Sequence, residues 1–298
     1  MSTLFIFLAL GAQFINAGVT LADKYLVTSK KAIADPVTYA FYVALLSGVV
    51  IFLVPFGVIS LPSQAVIWLS LATGLTFVVS LIFLYQALKM SDASDVAPVL
   101  GALTAIATLA FSFSILNDRL SGGFFVGFIF LVAGTGLMSY FRFNMRSFLC
   151  VLVAGTLLGL SGVLIKRIFL ETTFIDGFFW TRMANVLIAV LLLFWPGVLK
   201  KIKSRTKESS RGSKWLIIGN KLMAGIAFFL VLYAIKIGNV SVVNALNGSQ
   251  FLFLLLFAVI FTKKMPEYFF ETVHKHVVVG QKLAGTLLIV AGLLFLFT

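Results

Sequence analysis

Two stretches of this sequence share one pattern of glycine spacing. Residues 127–134 read GFIFLVAG and residues 285–292 read GTLLIVAG, so both follow the pattern G-x-x-x-x-V-A-G. Further pairs occur in the same order along the chain: Gly18 with Gly162, Trp68 with Trp215, and Tyr85 with Tyr233. Several similarities in colinear order predict an internal repeat, whose halves are residues 1–146 and residues 147–298.

The composition around these stretches is that of a membrane protein. Of 298 residues, 61% are hydrophobic and only 11% are charged, whereas soluble domains carry about 25% charged residues. Such a chain cannot cover a soluble core with polar surface. A helix needs about 20 apolar residues to cross a bilayer. Ten apolar runs approach that length, at about residues 4–21, 37–59, 65–87, 96–116, 122–141, 148–165, 177–199, 215–235, 240–261 and 283–297.

The repeat and the spans together predict the architecture. Each half contains five spans, and an odd number of spans forces the two halves into opposite membrane orientations. The predicted fold class is therefore an all-α polytopic membrane protein with ten transmembrane helices arranged as a five-plus-five inverted repeat. Secondary transporters use this arrangement, with a ligand site near the midplane between the halves.

Positive charge is distributed unevenly between the two sides. The chain has 23 Lys and Arg against 10 Asp and Glu. Connections after odd-numbered spans carry 17 of the basic residues, connections after even-numbered spans carry 4, and Arg182 and Lys221 lie inside spans. The positive-inside rule then predicts cytoplasmic odd connections and external termini. The expected location is a bacterial cytoplasmic (plasma) membrane. It accounts for the basic excess without a nucleic-acid partner. The basic stretch 200–214 is expected to be a solvated connection.

Short motifs of the first half resemble a known transporter family. They are YQALK at residues 85–89, Ser94, NDRLS at residues 117–121, and Gly127 followed by Ala133 and Gly134; the second half has YAIK at residues 233–236, Ser241, and Gly285 followed by Ala291 and Gly292. These stretches look like an EamA-type member of the drug/metabolite transporter superfamily, over essentially the whole chain. The resemblance implies ten helices, the inverted repeat and a central metabolite pathway.

Two features depart from that family. The second half has Lys263 and Lys264 where the first half has Asp118 and Arg119. Family members are also described with both termini in the cytoplasm, opposite to the orientation that the charges predict.

Polar side chains inside the spans are the candidate substrate-binding residues, because such groups tend to face the bundle interior or a water-filled cavity. They are Gln13, Asn16, Tyr39, Tyr42, Trp180, Arg182, Asn185, Lys221, Asn244, Asn247 and Gln250. Amides and tyrosines can hold the polar end of a solute, and the two cations can attract a carboxylate or phosphate. The alternatives are interhelical hydrogen bonds for the amides and snorkelling to the interface for the cations. Tyr85 and Tyr233 are expected to anchor helix ends at the interface.

Together these features predict a secondary transporter that moves a small metabolite, such as an amino acid or a similar organic anion or zwitterion, by alternating access. Asp23 is expected to pair locally with Lys24 at the interface, so the inventory of acidic residues does not favour proton coupling. A membrane enzyme is one alternative, for which the sequence offers only His274 and His276, a metal-chelating pair or a solvated basic loop. A channel or scaffold without carrier activity is the other.

The remaining expectations concern chemistry and partners. No catalytic residue, metal site or cofactor is predicted, since no phosphate loop or nucleophile motif occurs. The expected partners are a small-molecule substrate and the lipid bilayer, and a homodimer is left open.

Overall fold

The computed structural model describes residues 3–28, 35–91, 93–117, 122–138, 145–261, 284–285, 287–292 and 294–295. Within these residues every regular element is a helix. The helices are α1 (Leu4–Thr28), α2 (Pro36–Leu46, continued by a 3-10 segment Ser47–Phe56), α3 (Gln64–Met90), α4 (Ala93–Phe111, continued by a π turn Ser112–Leu116), α5 (Gly122–Met138), α6 (Met145–Glu171), α7 (Phe174–Leu192), α8 (Val198–Glu208), α9 (Arg211–Ile237), α10 (Val240–Ala245, continued by a 3-10 turn Leu246–Ser249) and α11 (Gln250–Phe261). The described residues between 284 and 295 are also helical.

Seven of the described helical segments are long and apolar enough to cross a membrane. They coincide with predicted spans 1 to 4 and 6 to 8, while the fifth and ninth predicted spans coincide with the shorter apolar helices Gly122–Leu137 and Val240–Leu254. The tenth falls on the helical residues between 284 and 295. Large apolar side chains are exposed on these helices, as expected where lipid replaces water. The all-helical membrane fold is confirmed, and the count of ten helices stays a prediction.

Polar residues before the apolar runs start several helices. The side chain of Asp35 accepts a hydrogen bond from the Thr38 backbone N–H and caps α2, whose first residue is Pro36. Ser63 caps α3 and Thr173 caps α7 in the same way. Capping satisfies backbone donors that have no partner within the helix.

The connection expected to be solvated contains helix α8, which packs on α2 and α7. Ile202 is buried with Phe41 and Ala189, and Lys201 Nζ lies 2.7 Å from Asp35 Oδ1. Burial alone would raise the pKa of Asp35, but hydrogen bonds from Lys201 and Thr38 lower it below its ordinary value. The basic residues of α8 are mostly exposed, as expected for a solvated connection, while Val198 and Ile202 dock the helix on its neighbours.

Two lysines inside helices hold the ends of neighbouring helices. Lys24 Nζ in α1 donates to the Leu88 and Ser91 carbonyls at the end of α3, at 2.9 and 2.7 Å. Lys166 Nζ in α6 donates to carbonyls at the end of α9, those of Ile235, Lys236 and Gly238. Cations are favourable at helix C-termini, where carbonyl groups lack intrahelical partners. Both lysines were counted among loop charges in the sequence, so their placement inside helices corrects that count.

The two copies of the glycine motif contact each other. A Cβ atom on Gly134 would lie 2.8 Å from the Gly285 carbonyl oxygen, and one on Gly292 would lie 2.9 Å from the Gly127 carbonyl oxygen. The first glycine of each copy thus faces the last glycine of the other copy. This reciprocal contact means that α5 and the last helical residues cross in antiparallel directions, with small residues allowing close approach.

Candidate functional site

A buried ion pair joins α1 to α9. Lys221 Nζ lies 2.7 Å from Asp23 Oδ1, and the two side chains are only 8% and 10% exposed. Asp23 lies five residues before the end of α1, which extends to Thr28. Asp23 thus pairs with Lys221 of a distant helix, whereas the Lys24 ammonium donates to carbonyls at the end of α3.

Further polar groups converge on this pair from three helices. Tyr39 Oη of α2 and Asn220 Nδ2 of α9 donate to Asp23 Oδ1 at 2.5 and 2.6 Å. Lys221 Nζ lies 3.5 Å from the Tyr85 hydroxyl oxygen, and the rings of Tyr39 and Tyr85 lie 4.6 Å apart. Tyr85 is fully buried, so the prediction that it anchors α3 at the interface is wrong. We call these five residues the Asp23 cluster.

Arg182 lies in the middle of α7 and is buried. It follows Phe174, the first residue of the helix, by eight positions, or about 12 Å of helix. Its side chain does not reach an interface, because the residue is 6% exposed. The guanidinium carbon lies 4.1 Å from the Phe228 ring centroid and 5.2 Å from that of Phe77. Within the described part of the chain, Nε and Nη2 have no hydrogen-bond partner.

Asn185 follows Arg182 by about one helical turn, and its side chain also has buried polar atoms without a hydrogen-bond partner in the described chain. It is completely buried, and neither Nδ2 nor Oδ1 has a hydrogen-bond partner among the described residues. Residues three apart share one face of a helix, so both unpartnered groups lie on one face of α7. Buried polar groups are nearly always hydrogen-bonded in proteins, and an exception needs an explanation.

The ammonium of Lys221 and the guanidinium of Arg182 both lie between α3 and α9. Lys221 and Phe228 lie seven residues apart on α9, which is two turns or about 10 Å. Tyr85 and Phe77 lie eight residues apart on α3, and the rings of Phe77 and Phe228 contact each other at 5.6 Å. The Asp23 cluster and the Arg182 guanidinium therefore lie at two levels of one column between these helices.

Four of the predicted amides form a separate network between α1 and the α10–α11 segment. Gln13 Nε2 donates to Asn247 Oδ1 at 2.7 Å, and Asn16 Nδ2 lies 3.4 Å from Gln13 Oε1. Gln250 Nε2 donates to the Thr20 hydroxyl at 2.6 Å. These contacts match the alternative of interhelical hydrogen bonds.

The other predicted residues lie elsewhere. Asn244 Nδ2 donates to Thr108 Oγ1 at 2.8 Å, within the contact between α10 and α4. Tyr42 shares a hydrogen bond with Thr206 of α8. Trp180 Nε1 donates to the Ser60 carbonyl at 3.1 Å, so it holds the connection that precedes α3.

The structure thus brings together Tyr39, Arg182, Asn185 and Lys221, and it adds Asp23, Tyr85, Asn220, Phe77 and Phe228, which were not among the predicted site residues. Of these residues, Asn220 could have been singled out from the sequence, because it directly precedes Lys221. His274 and His276, on which the enzyme alternative depended, lie outside the described residues.

Comparison with known proteins bears on the family and the fold of the chain. Residues 3–140 match the EamA-like transporter family, which confirms the resemblance predicted from the motifs of the first half. No curated protein matches the chain. One solved structure ("Crystal structure of protein") is 20% identical, with a TM-score of 0.64 over 95% of this chain and 96% of that chain. This similarity shows a shared fold over nearly the full length.

Proposed function

We propose that this chain, whose residues 3–140 match the EamA-like transporter family, is a secondary transporter for a small organic anion or zwitterion. The observation that carries the proposal is the buried Arg182 guanidinium with two nitrogens that have no partner within the described chain. The transported molecule is then a metabolite that bears a carboxylate or phosphate group. An amino acid is one such molecule.

The chemistry of Arg182 supports this class of substrate. Removing a guanidinium from water is costly unless its charge and its N–H groups find partners. The rings of Phe77 and Phe228 offer weak cation–π contacts but accept no strong hydrogen bond in the plane of the guanidinium. A carboxylate or phosphate fits that planar fork with two parallel hydrogen bonds. Asn185, with both amide atoms unpartnered within the described chain, supplies a further donor and acceptor on the same helix face.

Alternating access follows from the arrangement proposed for the two halves, a five-plus-five inverted repeat of ten helices. Two pairs of contacts support it. The glycine motifs of the two halves contact each other reciprocally, and Lys24 and Lys166 hold the ends of α3 and α9 in corresponding ways. The column between α3 and α9 joins one helix from each half. Rocking of one half against the other would expose Arg182 to each side in turn.

Counterflow in proteoliposomes tests this function against the alternatives of a channel, a scaffold and a membrane enzyme. The purified chain is reconstituted with a panel of amino acids, dicarboxylates, sugar phosphates, nucleosides and sugars. A carrier exchanges external labelled substrate for internal unlabelled substrate, and the exchange saturates. We expect saturable counterflow for at least one anionic or zwitterionic compound and none for neutral sugars. An ohmic current, chemical conversion of a compound, or the absence of exchange across the panel would contradict the proposal.

A further inference from the structure

We propose that the carrier binds a small 2-hydroxy carboxylate, with the carboxylate on Arg182 and the hydroxyl group on Asn185. This inference rests on the proposed function and names the substrate class of the same site. Three features carry it: the face of α7 that holds both side chains, an open space beside Gly225 of α9, and the charge of the column.

The unpartnered side chains of α7 are turned toward α9. Phe178 lies four residues before Arg182 and seven before Asn185, so the three residues share one face of the helix. The ring of Phe178 contacts that of Phe229 in α9, with centroids 5.5 Å apart. The Arg182 guanidinium lies against Phe228 of the same helix. The unpartnered atoms of Arg182 and Asn185 therefore border the space between α7 and α9.

An open space lies beside α9 at Gly225, an exposed residue of this helix. A Cβ atom added to Gly225 would meet nothing within 4 Å. Successive residues of a helix are turned by about 100°, so the direction of Gly225 lies between those of Phe228 and Phe229. The Phe228 ring contacts Phe77 of α3, and the Phe229 ring contacts α7. Gly225 therefore faces the gap between α3 and α7, where the Arg182 guanidinium lies.

The charge of the column matches a single carboxylate. Lys221 is already paired with Asp23 at 2.7 Å, whereas the Nε and Nη2 atoms of Arg182 have no partner in the described chain. These two nitrogens share one edge of the planar guanidinium, and their parallel N–H bonds fit the two oxygens of a carboxylate. A monocarboxylate neutralises Arg182. A phosphate monoester instead carries about two negative charges at neutral pH, and an amino acid brings a second cation into the space.

The Asn185 amide requires a hydrogen-bond donor beside that carboxylate. Its Oδ1 atom can only accept a hydrogen bond, and this atom has no partner in the described chain. A carboxylate has no donor, so the bond must come from another group of the ligand. Residues three apart on a helix have Cβ atoms about 5–6 Å apart, so the donor belongs close to the carboxylate, and the adjoining carbon is the closest position. A hydroxyl group there donates to Oδ1 and accepts from Nδ2 without adding charge.

The test compares three compounds that share a three-carbon skeleton and a carboxylate. They are lactate, alanine and propanoate, whose second carbon carries a hydroxyl, an ammonium and only hydrogen, and both enantiomers of the first two are used. Isothermal calorimetry measures their binding to the purified chain in detergent at about pH 7, where the carboxylates are ionised. One enantiomer of lactate should bind at least about tenfold more tightly than propanoate, because propanoate leaves Asn185 Oδ1 without a donor. Alanine should bind more weakly than lactate.

Asn185→Leu removes the amide and keeps the approximate size of the side chain. An apolar group in place of an unpartnered buried amide does not weaken the fold, so this variant should melt no earlier than the wild type. It should bind lactate as weakly as the wild type binds propanoate, while its affinity for propanoate should not change. A general loss of folding would not remove the selectivity and leave propanoate binding intact.

Filling the space beside Gly225 should block binding. Gly225→Leu places a side chain in that space and should abolish lactate binding. Gly219→Leu is the matched control on α9, because a Cβ on Gly219 also meets nothing within 4 Å. Gly219 lies two residues before Lys221 and so points about 160° away from it, and Gly219→Leu should bind lactate like the wild type. If Gly225→Leu does not fold, Gly225→Ala adds a smaller group to the same space and should weaken lactate binding.

The outcomes separate this inference from the proposed function. Equal binding of lactate and propanoate by the wild type, selectivity that persists in Asn185→Leu, or tighter binding of alanine than of lactate overturns it and leaves the anion carrier standing. Lactate binding by Gly225→Leu at the wild-type level overturns it as well, since the substrate would not occupy that space.

A longer matched set covers a substrate with a larger body. If the wild type binds none of the three compounds, 2-hydroxy-4-methylpentanoate, leucine and 4-methylpentanoate replace them. Counterflow of other anions without binding from either set also overturns the hydroxy-acid site and leaves the carrier standing. If no anion is bound or exchanged at all, the carrier and the hydroxy-acid site fall together.

Discussion

The guanidinium carbon of Arg182 lies 4.1 Å from the centroid of the Phe228 ring, so a permanent cation of α7 rests against an aromatic face of α9. This contact holds the side chain in the interior while two of its nitrogens stay without a partner in the described chain. The contact therefore positions a cation and leaves its hydrogen-bonding capacity for a ligand.

The aromatic contact should contribute to anion binding by holding Arg182 in place. A cation–π contact is worth about 0.5–2 kcal/mol, so Phe228→Leu should weaken anion affinity by roughly two- to thirtyfold. The measurement is isothermal calorimetry with an anion identified by counterflow. Phe125→Leu is the control, because Phe125 is exposed on α5. Equal affinities for Phe228→Leu and the wild type would show that the ring does not position Arg182.

Removing one partner of the buried ion pair should destabilise the protein more than removing both. Lys221→Gln leaves Asp23 without its counter-charge, and such an uncompensated buried charge costs about 3–5 kcal/mol. Adding Asp23→Asn should restore most of that stability. Denaturant unfolding in detergent micelles measures the free energies. Stability of Lys221→Gln equal to that of the wild type would exclude a buried, paired Asp23 carboxylate.

The contact between the two glycine motifs predicts opposite effects for neighbouring glycines of α5. A Cβ on Gly134 would lie 2.8 Å from the Gly285 carbonyl oxygen, whereas one on Gly136 meets nothing within 4 Å. Gly134→Ala should lower the unfolding free energy by about 1–3 kcal/mol through overpacking. Gly136→Ala should be neutral or stabilising, since alanine favours a helix by up to about 1 kcal/mol. If both variants melt at the same temperature, the contact between the repeats is not tight.

The ion pair between Asp35 and Lys201 predicts how stability changes in acid. The pKa of Asp35 is lowered in the folded chain, so the pair stabilises the fold above the unfolded-state pKa of about 3.9. That stabilisation is lost as the pH falls through the folded-state pKa. Lys201 is half exposed, so Lys201→Gln should cost only about 0.5–1 kcal/mol at neutral pH. The difference from the wild type should shrink steadily as the pH falls below about 3.9, and a difference that does not change with pH would rule out the pair as its cause.

Labelling of single cysteines tests the membrane orientation that the distribution of Lys and Arg predicts. Cys150 is the only cysteine, so Cys150→Ser gives a background for Lys203→Cys on exposed α8 and Leu61→Cys in the connection before α3. We expect a membrane-impermeant maleimide to label Leu61→Cys from outside intact cells and Lys203→Cys only after lysis. The reverse pattern would favour the orientation described for the family.

The sequence was informative where composition and spacing carry physical meaning. Apolar runs located the helices, and the motif shared by residues 127–134 and 285–292 identified segments that contact each other. Arg182 and Lys221 stood out because cations inside apolar runs are costly and therefore rare. The sequence did not reveal what surrounds them, since those partners come from distant parts of the chain.

The sequence did not identify the position of Asp23 or the aromatic partners of Arg182, and each has a physical reason. Asp23 was placed at the interface because the first apolar run ends near residue 21, whereas α1 continues to Thr28 and packs Asp23 against Lys221. Phe77 and Phe228 could not be singled out among 32 phenylalanines, because nothing in the local sequence distinguishes a phenylalanine that faces a cation from one that faces lipid.

The most direct test of the anion site compares counterflow by the wild type, Arg182→Gln and Arg167→Gln in proteoliposomes. Arg167 is a suitable control because it is a partly exposed arginine of α6 that pairs with Glu171. If Arg182 binds the anionic group, Arg182→Gln should reduce exchange of every anionic substrate at least about tenfold, since a charged hydrogen bond is worth about 1.5–3 kcal/mol. Arg167→Gln should exchange at the wild-type rate. Wild-type exchange of anions by Arg182→Gln would contradict the account.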